Sequence, residues 1–84
     1  MATIEIFFGP HCGYCEQAKS LLDQRGLTYL EYDISQAEHM EELVKRLPRT
    51  KAIPQIFVNG EHIGSLEDLA LLADDGRLEK MLLV

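Results

Sequence analysis

Apolar residues in the first 33 positions follow two different periods. In residues 3–8 (TIEIFF) the apolar side chains alternate along the chain, which predicts a β-strand. From residue 13 to residue 25 the apolar spacing becomes that of a helix, and Gly26 stands where a left-handed helix cap is expected. Residues 28–33 (TYLEYD) return to a strand pattern. Because a helix connects the two strands, they should be parallel in a right-handed crossover.

A second helix is predicted after residue 34. Ser35 and Glu38 have the spacing of a capping box at its start. Its buried stripe should consist of Met40, Leu43, Val44 and Leu47. Pro48 then blocks continuation of the helix.

The last third of the chain predicts a hairpin followed by helical segments. The dipeptide Asn59-Gly60 separates the short runs QIFV and EHIG, which is the strongest local signal for an antiparallel hairpin. Ser65 and Asp68 form another capping-box pattern, and a short helical segment should follow Gly76. The residues expected to be buried in that last segment are Leu78, Met81 and Leu82.

The predicted order β-α-β-α-β-β-α belongs to the α/β class, with a four-stranded mixed sheet flanked by helices. The whole chain, residues 1–84, is expected to be a single domain, because 84 residues suffice for one modest core. Phe8, Ile56 and Phe57 should be core residues of the sheet.

Composition and charge narrow the class of protein. With 46% hydrophobic and 26% charged residues, the chain should fold on its own. A net charge of -6 argues against binding to nucleic acid, whose phosphates attract basic surfaces. Neither a membrane-spanning apolar run nor a signal-peptide pattern is present, so we expect a cytoplasmic protein that does not bind membranes.

Both cysteines lie in the segment GPHCGYCE, three positions apart. A Cys-x-x-Cys beside a βαβ pattern in a cytosolic protein is typical of a thioredoxin-like redox site. Cys12 lies at a helix N-terminus, where the unpaired N–H groups and the helix dipole favour a thiolate, and should be the nucleophile. Cys15 lies about one turn further on and should be the resolving thiol.

The cysteines have two alternative roles, a permanent disulfide and a zinc site. A permanent disulfide is disfavoured, since cytosolic thiols are kept reduced and a four-residue loop adds little stability. A zinc site would need ligands from His11, His39 or His62, which show no second ligand pair at a suitable spacing, so no metal is expected. His11 is either a surface residue or an imidazolium that helps to hold the Cys12 thiolate.

Along essentially its whole length the chain resembles small bacterial members of the glutaredoxin family that carry two active-site cysteines. The resemblance rests on an N-terminal strand, on CGYC opening a helix, and on AIPQIFVNGEHIGSLEDL near the other end. It implies a thioredoxin-like fold and a glutathione-dependent thiol–disulfide oxidoreductase. Glutathione would be a cosubstrate rather than a tightly bound cofactor, and the partners would be disulfide-bonded or glutathionylated proteins. We expect a monomer.

The resemblance also implies site residues near the proline motif. Pro54 would follow a cis peptide bond, and the backbone of Ile53 would pair with the cysteine part of glutathione. Lys51, or else Arg49, would pair with the glycyl carboxylate, unless these are solvated loop charges. Tyr14 would cover the glutathionyl sulfur, unless it only packs on the first helical turn.

A second group of implied site residues lies at the start of the third helix. Gly64 and Ser65 match a Gly-Gly motif of the family. The N–H groups of Leu66 and Glu67 would hold the γ-glutamyl carboxylate, and the Glu67 side chain would hold the amino group. The alternative for Glu67 is an ordinary acidic residue at a helix start.

The chain departs from the family pattern at four positions. It has Gly9 where a lysine is usual, Gly13 where the common tetrad has proline, Ala52 where threonine precedes the Val-Pro unit, and Ser65 for the second glycine. The missing lysine removes a cation that would aid the thiolate and glutathione. The sulfur chemistry itself is retained.

Two other functions stay open. Glutaredoxins with a glycine after the first cysteine include carriers in which two protomers and two glutathiones ligate a [2Fe–2S] cluster, which Gly13 favours and Cys15 disfavours. A thioredoxin reduced directly by a flavoprotein is the third hypothesis, weakened because the tetrad is not Cys-Gly-Pro-Cys and no tryptophan precedes it.

Overall fold

The computed structural model describes residues 2–50 and 52–83. The elements are, in chain order, β1 (Ile4–Phe8), α1 (Gly13–Gln24), β2 (Leu30–Asp33), α2 (Ala37–Arg46), β3 (Gln55–Val58), β4 (Glu61–Gly64), α3 (Leu66–Asp74) and α4 (Arg77–Met81). The strands form one sheet in the order β2-β1-β3-β4. β1 is parallel to β2 and antiparallel to β3, and β3 is antiparallel to β4. The predicted mixed sheet with flanking helices is confirmed.

Each face of the sheet carries its own hydrophobic cluster. The larger cluster combines β1 and β3 with α1, α3 and α4, and its buried members are Ile4, Ile6, Ala18, Leu22, Ile56, Val58, Leu69, Ala73 and Leu78. The smaller cluster lies under α2 and contains Phe7, Leu43 and Phe57. Side chains alternate between the two faces along a strand, so the central strand β1 is apolar on both.

Phe8 is less buried than the sequence predicts. It is partly exposed at the end of β1, and the Lys19 ammonium lies 3.4 Å from its ring centroid. Lys19 also pairs with Glu31, at 2.9 Å between Nζ and Oε1. The fully buried aromatic residue of β1 is its neighbour Phe7, whereas the prediction for Phe57 is confirmed.

The predicted capping box of α2 is wrong. The Ser35 N–H donates to Asp33 Oδ1 at 2.9 Å, which forms a turn that ends β2. Gln36 is therefore the N-cap residue, it makes no side-chain cap bond, and the helix begins at Ala37. Glu38 lies within the first turn instead of closing a box.

The buried stripe of α2 is narrower than predicted. Leu43 is fully buried, and Leu47 packs partly buried against the small cluster. Met40 is also only partly buried. Val44 is 45% exposed, so its placement in the stripe is wrong.

Arg46 anchors the end of α2 to the sheet. Its Nη1 and Nη2 donate to the two carboxylate oxygens of Glu5 at 3.0 and 3.1 Å, and its Nε donates to Glu42 at 2.8 Å. The guanidinium also lies over the rings of Phe57 and Phe7, 4.8 and 5.3 Å from their centroids. The hydrogen bonds from Arg46 lower the pKa of Glu5 below its ordinary value, against the opposing effect of burial.

The hairpin is confirmed at the predicted dipeptide. Asn59 and Gly60 both have left-handed backbones, with φ of 54° and 82°, as a tight two-residue hairpin turn requires. The Asn59 side chain accepts the N–H of Thr3 at 3.0 Å and donates to the carbonyl of Met81 at 2.8 Å. The turn thereby holds both the N-terminal segment and α4.

The C-terminal helices also follow the prediction. Ser65 and Asp68 form a capping box at the start of α3. After Gly76, α4 buries Leu78, with Met81 and Leu82 partly buried against the large cluster. Within the residues described, no helix combines the length and apolar character needed to cross a bilayer.

Candidate active site

The two cysteines lie at the first turn of α1. Cys12 is the N-cap residue, with an extended backbone, and its Sγ accepts the N–H of Cys15 at 3.1 Å. Cys12 is half-buried and Cys15 is fully buried. A disulfide joins them, with the Cα atoms 5.3 Å apart. An attacking group from outside therefore reaches Cys12 and not Cys15.

The surroundings of Cys12 favour a negatively charged sulfur in the reduced form. The Cys15 N–H points at Sγ, and the positive end of the α1 dipole lies at the same place. On another side, the carbonyl oxygen of Ile53 lies 4.0 Å from Cys12 Sγ. The N–H group and the helix dipole suit a thiolate that attacks or leaves during disulfide exchange, whereas the Ile53 carbonyl can only accept a hydrogen bond from the protonated thiol.

A groove of about 240 Å³ lies near Cys12, which does not itself line it: the connection is Ile53, a lining residue whose carbonyl oxygen lies 4.0 Å from Cys12 Sγ. Its lining consists of Tyr14, Ile53, Pro54, Ser65, Leu66 and Glu67. These residues come from α1, from the segment before β3 and from the start of α3. All six are among the site residues proposed from the sequence. The Ile53–Pro54 bond is cis, and Tyr14 is 66% exposed.

The two basic candidates for the glycyl carboxylate have different standing in the structure. Lys51 lies outside the described residues. Arg49 is exposed and lines a different cavity of about 300 Å³, whose lining also includes Arg46, Leu47, Pro48, Thr50 and His62.

Gly64 and Asp68 shape the start of α3. The Asp68 carboxylate accepts the N–H of Ser65 at 2.9 Å and its hydroxyl at 3.1 Å, and the backbone bond from Ser65 lowers the Asp68 pKa. Gly64 has φ of 127°, and a Cβ there would come within 2.7 Å of Asp68 Cγ. Leu66 and Glu67 then begin the helix, where N–H groups have no carbonyl of a preceding turn to pair with.

Gly9 is buried against the same groove-lining segment. A Cβ at this position would lie 2.8 Å from Ile53 Cδ1, with Ile34 Cγ1 next at 3.6 Å. The place where a lysine side chain would begin is therefore taken by an isoleucine. His11 is exposed and has a left-handed backbone, with φ of 57°.

The other two histidines lie on different elements. His39 on α2 lies 3.1 Å from the carbonyl of Asp33, and His62 is on β4. The part of the chain that the structure describes contains no group of three or more His, Cys, Asp or Glu side chains arranged to hold a metal ion.

The sequence pattern did not predict a polar pair formed by Gln55 and His62. Gln55 is buried, at 6% exposure, and its Nε2 donates to the carbonyl of Ala52 at 3.0 Å. Its Oε1 lies 2.8 Å from His62 Nε2. The available signal was a glutamine directly after the proline, inside a strand that is otherwise apolar.

Comparison with known proteins gives consistent matches. A sequence model of the family described as Glutaredoxin matches residues 4–63, which include both cysteines and the Ile53–Pro54 bond. The chain is 41% identical to Glutaredoxin 3 of Escherichia coli (strain K12) over 83 residues, covering 98% of this chain and 99% of that protein. It is 39% identical to Glutaredoxin 1 of Rickettsia typhi over 82 residues, covering 95% and 79%.

Solved structures agree with these sequence matches. The solution structure of a glutaredoxin from Brucella melitensis superimposes with a TM-score of 0.79 at 36% identity, covering 98% of this chain and 89% of that one. The crystal structure of a buckwheat glutaredoxin–glutathione complex superimposes with a TM-score of 0.81 at 28% identity, covering 96% and 76%.

Proposed function

The chain belongs to the glutaredoxin family of thiol–disulfide oxidoreductases, and from that premise we propose that its reaction depends on glutathione. Its substrates would be protein disulfides and mixed disulfides between proteins and glutathione. The enzyme would act as a cytoplasmic monomer.

One observation carries the proposal: an accessible cysteine at a helix N-terminus lies beside a groove of peptide size. Cys12 Sγ is 4.0 Å from the Ile53 carbonyl, and Ile53 itself lines the groove. A tripeptide in that groove would have its sulfur next to Cys12. The buckwheat relative, at 28% identity, has been solved as a glutathione complex.

Groups along the groove match the ends of glutathione. The backbone of Ile53 would pair with the cysteinyl part as an added strand does. The N–H groups of Leu66 and Glu67, at the positive end of α3, would bind the γ-glutamyl carboxylate, and the Glu67 carboxylate would bind the amino group. Lys51 would be the partner of the glycyl carboxylate.

The reaction begins with attack by the Cys12 thiolate on a glutathionylated protein. A bond forms between Cys12 Sγ and the glutathione sulfur, and the protein thiolate leaves and takes up a proton. A second glutathione thiolate then attacks the glutathione sulfur. This releases oxidised glutathione and the Cys12 thiolate, so one free glutathione is consumed and the disulfide bond of the substrate is exchanged for that of oxidised glutathione.

Cys15 serves the alternative route for protein disulfides. Its thiolate attacks Cys12 Sγ in the mixed disulfide, releases the bound thiol and leaves the Cys12–Cys15 disulfide. Two glutathiones then reduce this disulfide. The short approach between the two residues, with Cα atoms 5.3 Å apart, supports this intramolecular step.

The test is a deglutathionylation assay coupled to glutathione reductase and NADPH, on the wild type, Cys12→Ser and Cys15→Ser. Cys12→Ser should abolish turnover, because no other sulfur at the site is accessible. Cys15→Ser should retain much of it, because external glutathione resolves the mixed disulfide. Turnover that survives in Cys12→Ser would reject the assignment of roles.

The same samples separate the proposal from cluster carriage. A wild-type protein that is brown when purified anaerobically, with visible absorption bands and no turnover with glutathione, would favour a [2Fe–2S] carrier held by Cys12 of two protomers. A colourless monomer that turns over would support the enzyme.

A further inference from the structure

Gln55 is a polar side chain in a strand whose four residues are all buried. Burying an amide is costly unless its donor and acceptor are both satisfied. Here both are satisfied, by two segments that lie on opposite sides of the glutamine in the sequence. The amide nitrogen bonds to Ala52 and the amide oxygen bonds to His62.

The two bonds fix the direction of each donor. Because Gln55 Nε2 donates to the Ala52 carbonyl, Oε1 faces His62 and accepts the hydrogen on His62 Nε2. The His62 ring is held in turn by packing on Phe57, with the ring centroids 5.2 Å apart. A shift of register between β3 and β4, next to Phe57, sets His62 at this position.

The bond to Ala52 has a consequence at the groove. The peptide unit between Ala52 and Ile53 is planar and trans, so its C=O and N–H point in opposite directions. Since the carbonyl of Ala52 is directed inward to buried Gln55, the N–H of Ile53 is directed away from the core. That is the N–H that an extended peptide in the groove would need.

We propose that Gln55 and His62 are positioning residues that set the orientation of the Ile53 N–H for a bound peptide. This inference rests on the proposed glutathione dependence, since glutathione is the peptide concerned. Neither residue touches the reacting sulfurs. Their effect should fall on the binding of glutathione and not on the nucleophilicity of Cys12.

Gln55→Met tests the inference, because methionine keeps the length and volume of the side chain but cannot bond to Ala52. The KM for a small glutathione mixed disulfide should rise about tenfold, the effect of losing one aligned hydrogen bond. The kcat and the rate at which iodoacetamide alkylates reduced Cys12 should stay within about twofold of the wild type. The matched control is Gln24→Met, at the exposed end of α1, with an unchanged KM.

His62→Phe keeps a ring on Phe57 and removes the donor to Gln55. It should raise KM less than Gln55→Met does, because the bond to Ala52 remains. If His62 acts on the Ile53 N–H only through Gln55, adding His62→Phe to Gln55→Met should raise KM no further. An unchanged KM in Gln55→Met, or a loss of kcat and alkylation rate without a change in KM, would overturn the proposal.

A measurement without glutathione separates this inference from the proposed function. The ¹⁵N shifts of the neutral His62 ring should show the hydrogen on Nε2 in the wild type. A hydrogen on Nδ1 would overturn the Gln55–His62 pair even in an active enzyme. If the wild type shows the expected tautomer but does not turn over with glutathione, the proposed function is rejected and the Gln55–His62 pair is retained. If Gln55→Met fails to fold in a thermal unfolding experiment, His62→Phe and the tautomer still decide the matter.

Discussion

At the scale of single residues, the chemistry at Cys12 is local and therefore readable from the sequence. A cysteine one residue before a helix becomes the N-cap, and the next cysteine on that face comes one turn later. The structure places Cys12 and Cys15 in this way. The Gln55–His62 contact could not be read in the same way, because it depends on a register shift between two strands that no spacing rule specifies.

Gly9 is the residue whose role changes most when the structure is known. In the sequence, Gly9 stands where the family usually has a lysine. In the structure, the Ile53 side chain occupies the space that a side chain at position 9 would need. Gly9→Ala should destabilise the protein by about 1 kcal/mol through overpacking. It should also raise the KM for glutathione several-fold, because Ile53 must move and Ile53 lines the groove.

A second substitution tests that explanation. Ile53→Val removes the Cδ1 atom that the new methyl group would meet, so Gly9→Ala should cost little in an Ile53→Val background. Urea unfolding and the coupled assay on both single variants and the double variant measure this. Additive effects on stability and on KM would show that the contact with Ile53 is not the cause.

At the scale of elements, two similar capping patterns gave different outcomes. Ser35 with Glu38 and Ser65 with Asp68 have the same spacing, but only the second pair forms a box. The Ser35 N–H is already used by the carboxylate of Asp33, two residues earlier. A local turn can therefore outcompete a helix cap, and the spacing of the cap residues alone does not reveal it.

The α3 cap should be measurable as stability. Asp68→Ala removes the acceptor of the Ser65 N–H and hydroxyl, and should cost about 1 kcal/mol in the free energy of unfolding. Because the Asp68 pKa is lowered on folding from its ordinary 3.8, its contribution is complete above that pH and is lost as the pH falls through the folded pKa. The loss in Asp68→Ala should thus shrink in strongly acidic urea titrations.

Glu38→Ala is the matched control, since Glu38 has the same place in a pattern that does not form. Its unfolding free energy should stay within about 0.5 kcal/mol of the wild type. A larger loss for Glu38→Ala than for Asp68→Ala would contradict the assignment of the two caps.

At the scale of the whole molecule, the sequence predicts the sheet but not how the buried apolar residues are divided between its two faces. The pattern of β1 predicts one buried face, whereas Phe7 is buried on the opposite face from Ile4 and Ile6. In a strand that is apolar on both faces, apolar and polar residues do not alternate, so the pattern does not distinguish one buried face from two. The sequence pattern also did not predict that α2 packs through a narrow stripe that leaves Val44 exposed.

Arg46 compensates for that narrow contact. Arg46→Met should destabilise the protein by about 3 kcal/mol at neutral pH. The Glu5 side chain is only 12% exposed, and the substitution removes the cation that its carboxylate is paired with. The folded pKa of Glu5 is lowered by Arg46, so the stabilisation is complete above the ordinary Glu pKa of 4.5 and is lost as the pH falls through the folded value. The difference between wild type and variant in urea unfolding should therefore decrease below that pH.

Arg77→Met is the comparison for this measurement. Arg77 pairs with Asp75 at 2.7 Å, but both side chains are well exposed to solvent. Removing this exposed pair should change stability much less than Arg46→Met does. Equal losses in the two variants would show that burial of the Glu5–Arg46 pair is not what makes it important.

The unequal faces of the sheet have a consequence for motion over minutes to hours. α2 is held by the smaller cluster, by Arg46 and by the contact of His39 with the Asp33 carbonyl, whereas α1 and α3 share the larger cluster. Native-state hydrogen exchange should therefore find the amides of α2 opening at a lower free energy than those of α1, as a separate cooperative unit. A common opening energy for α1 and α2 would mean instead that the two layers come apart only together.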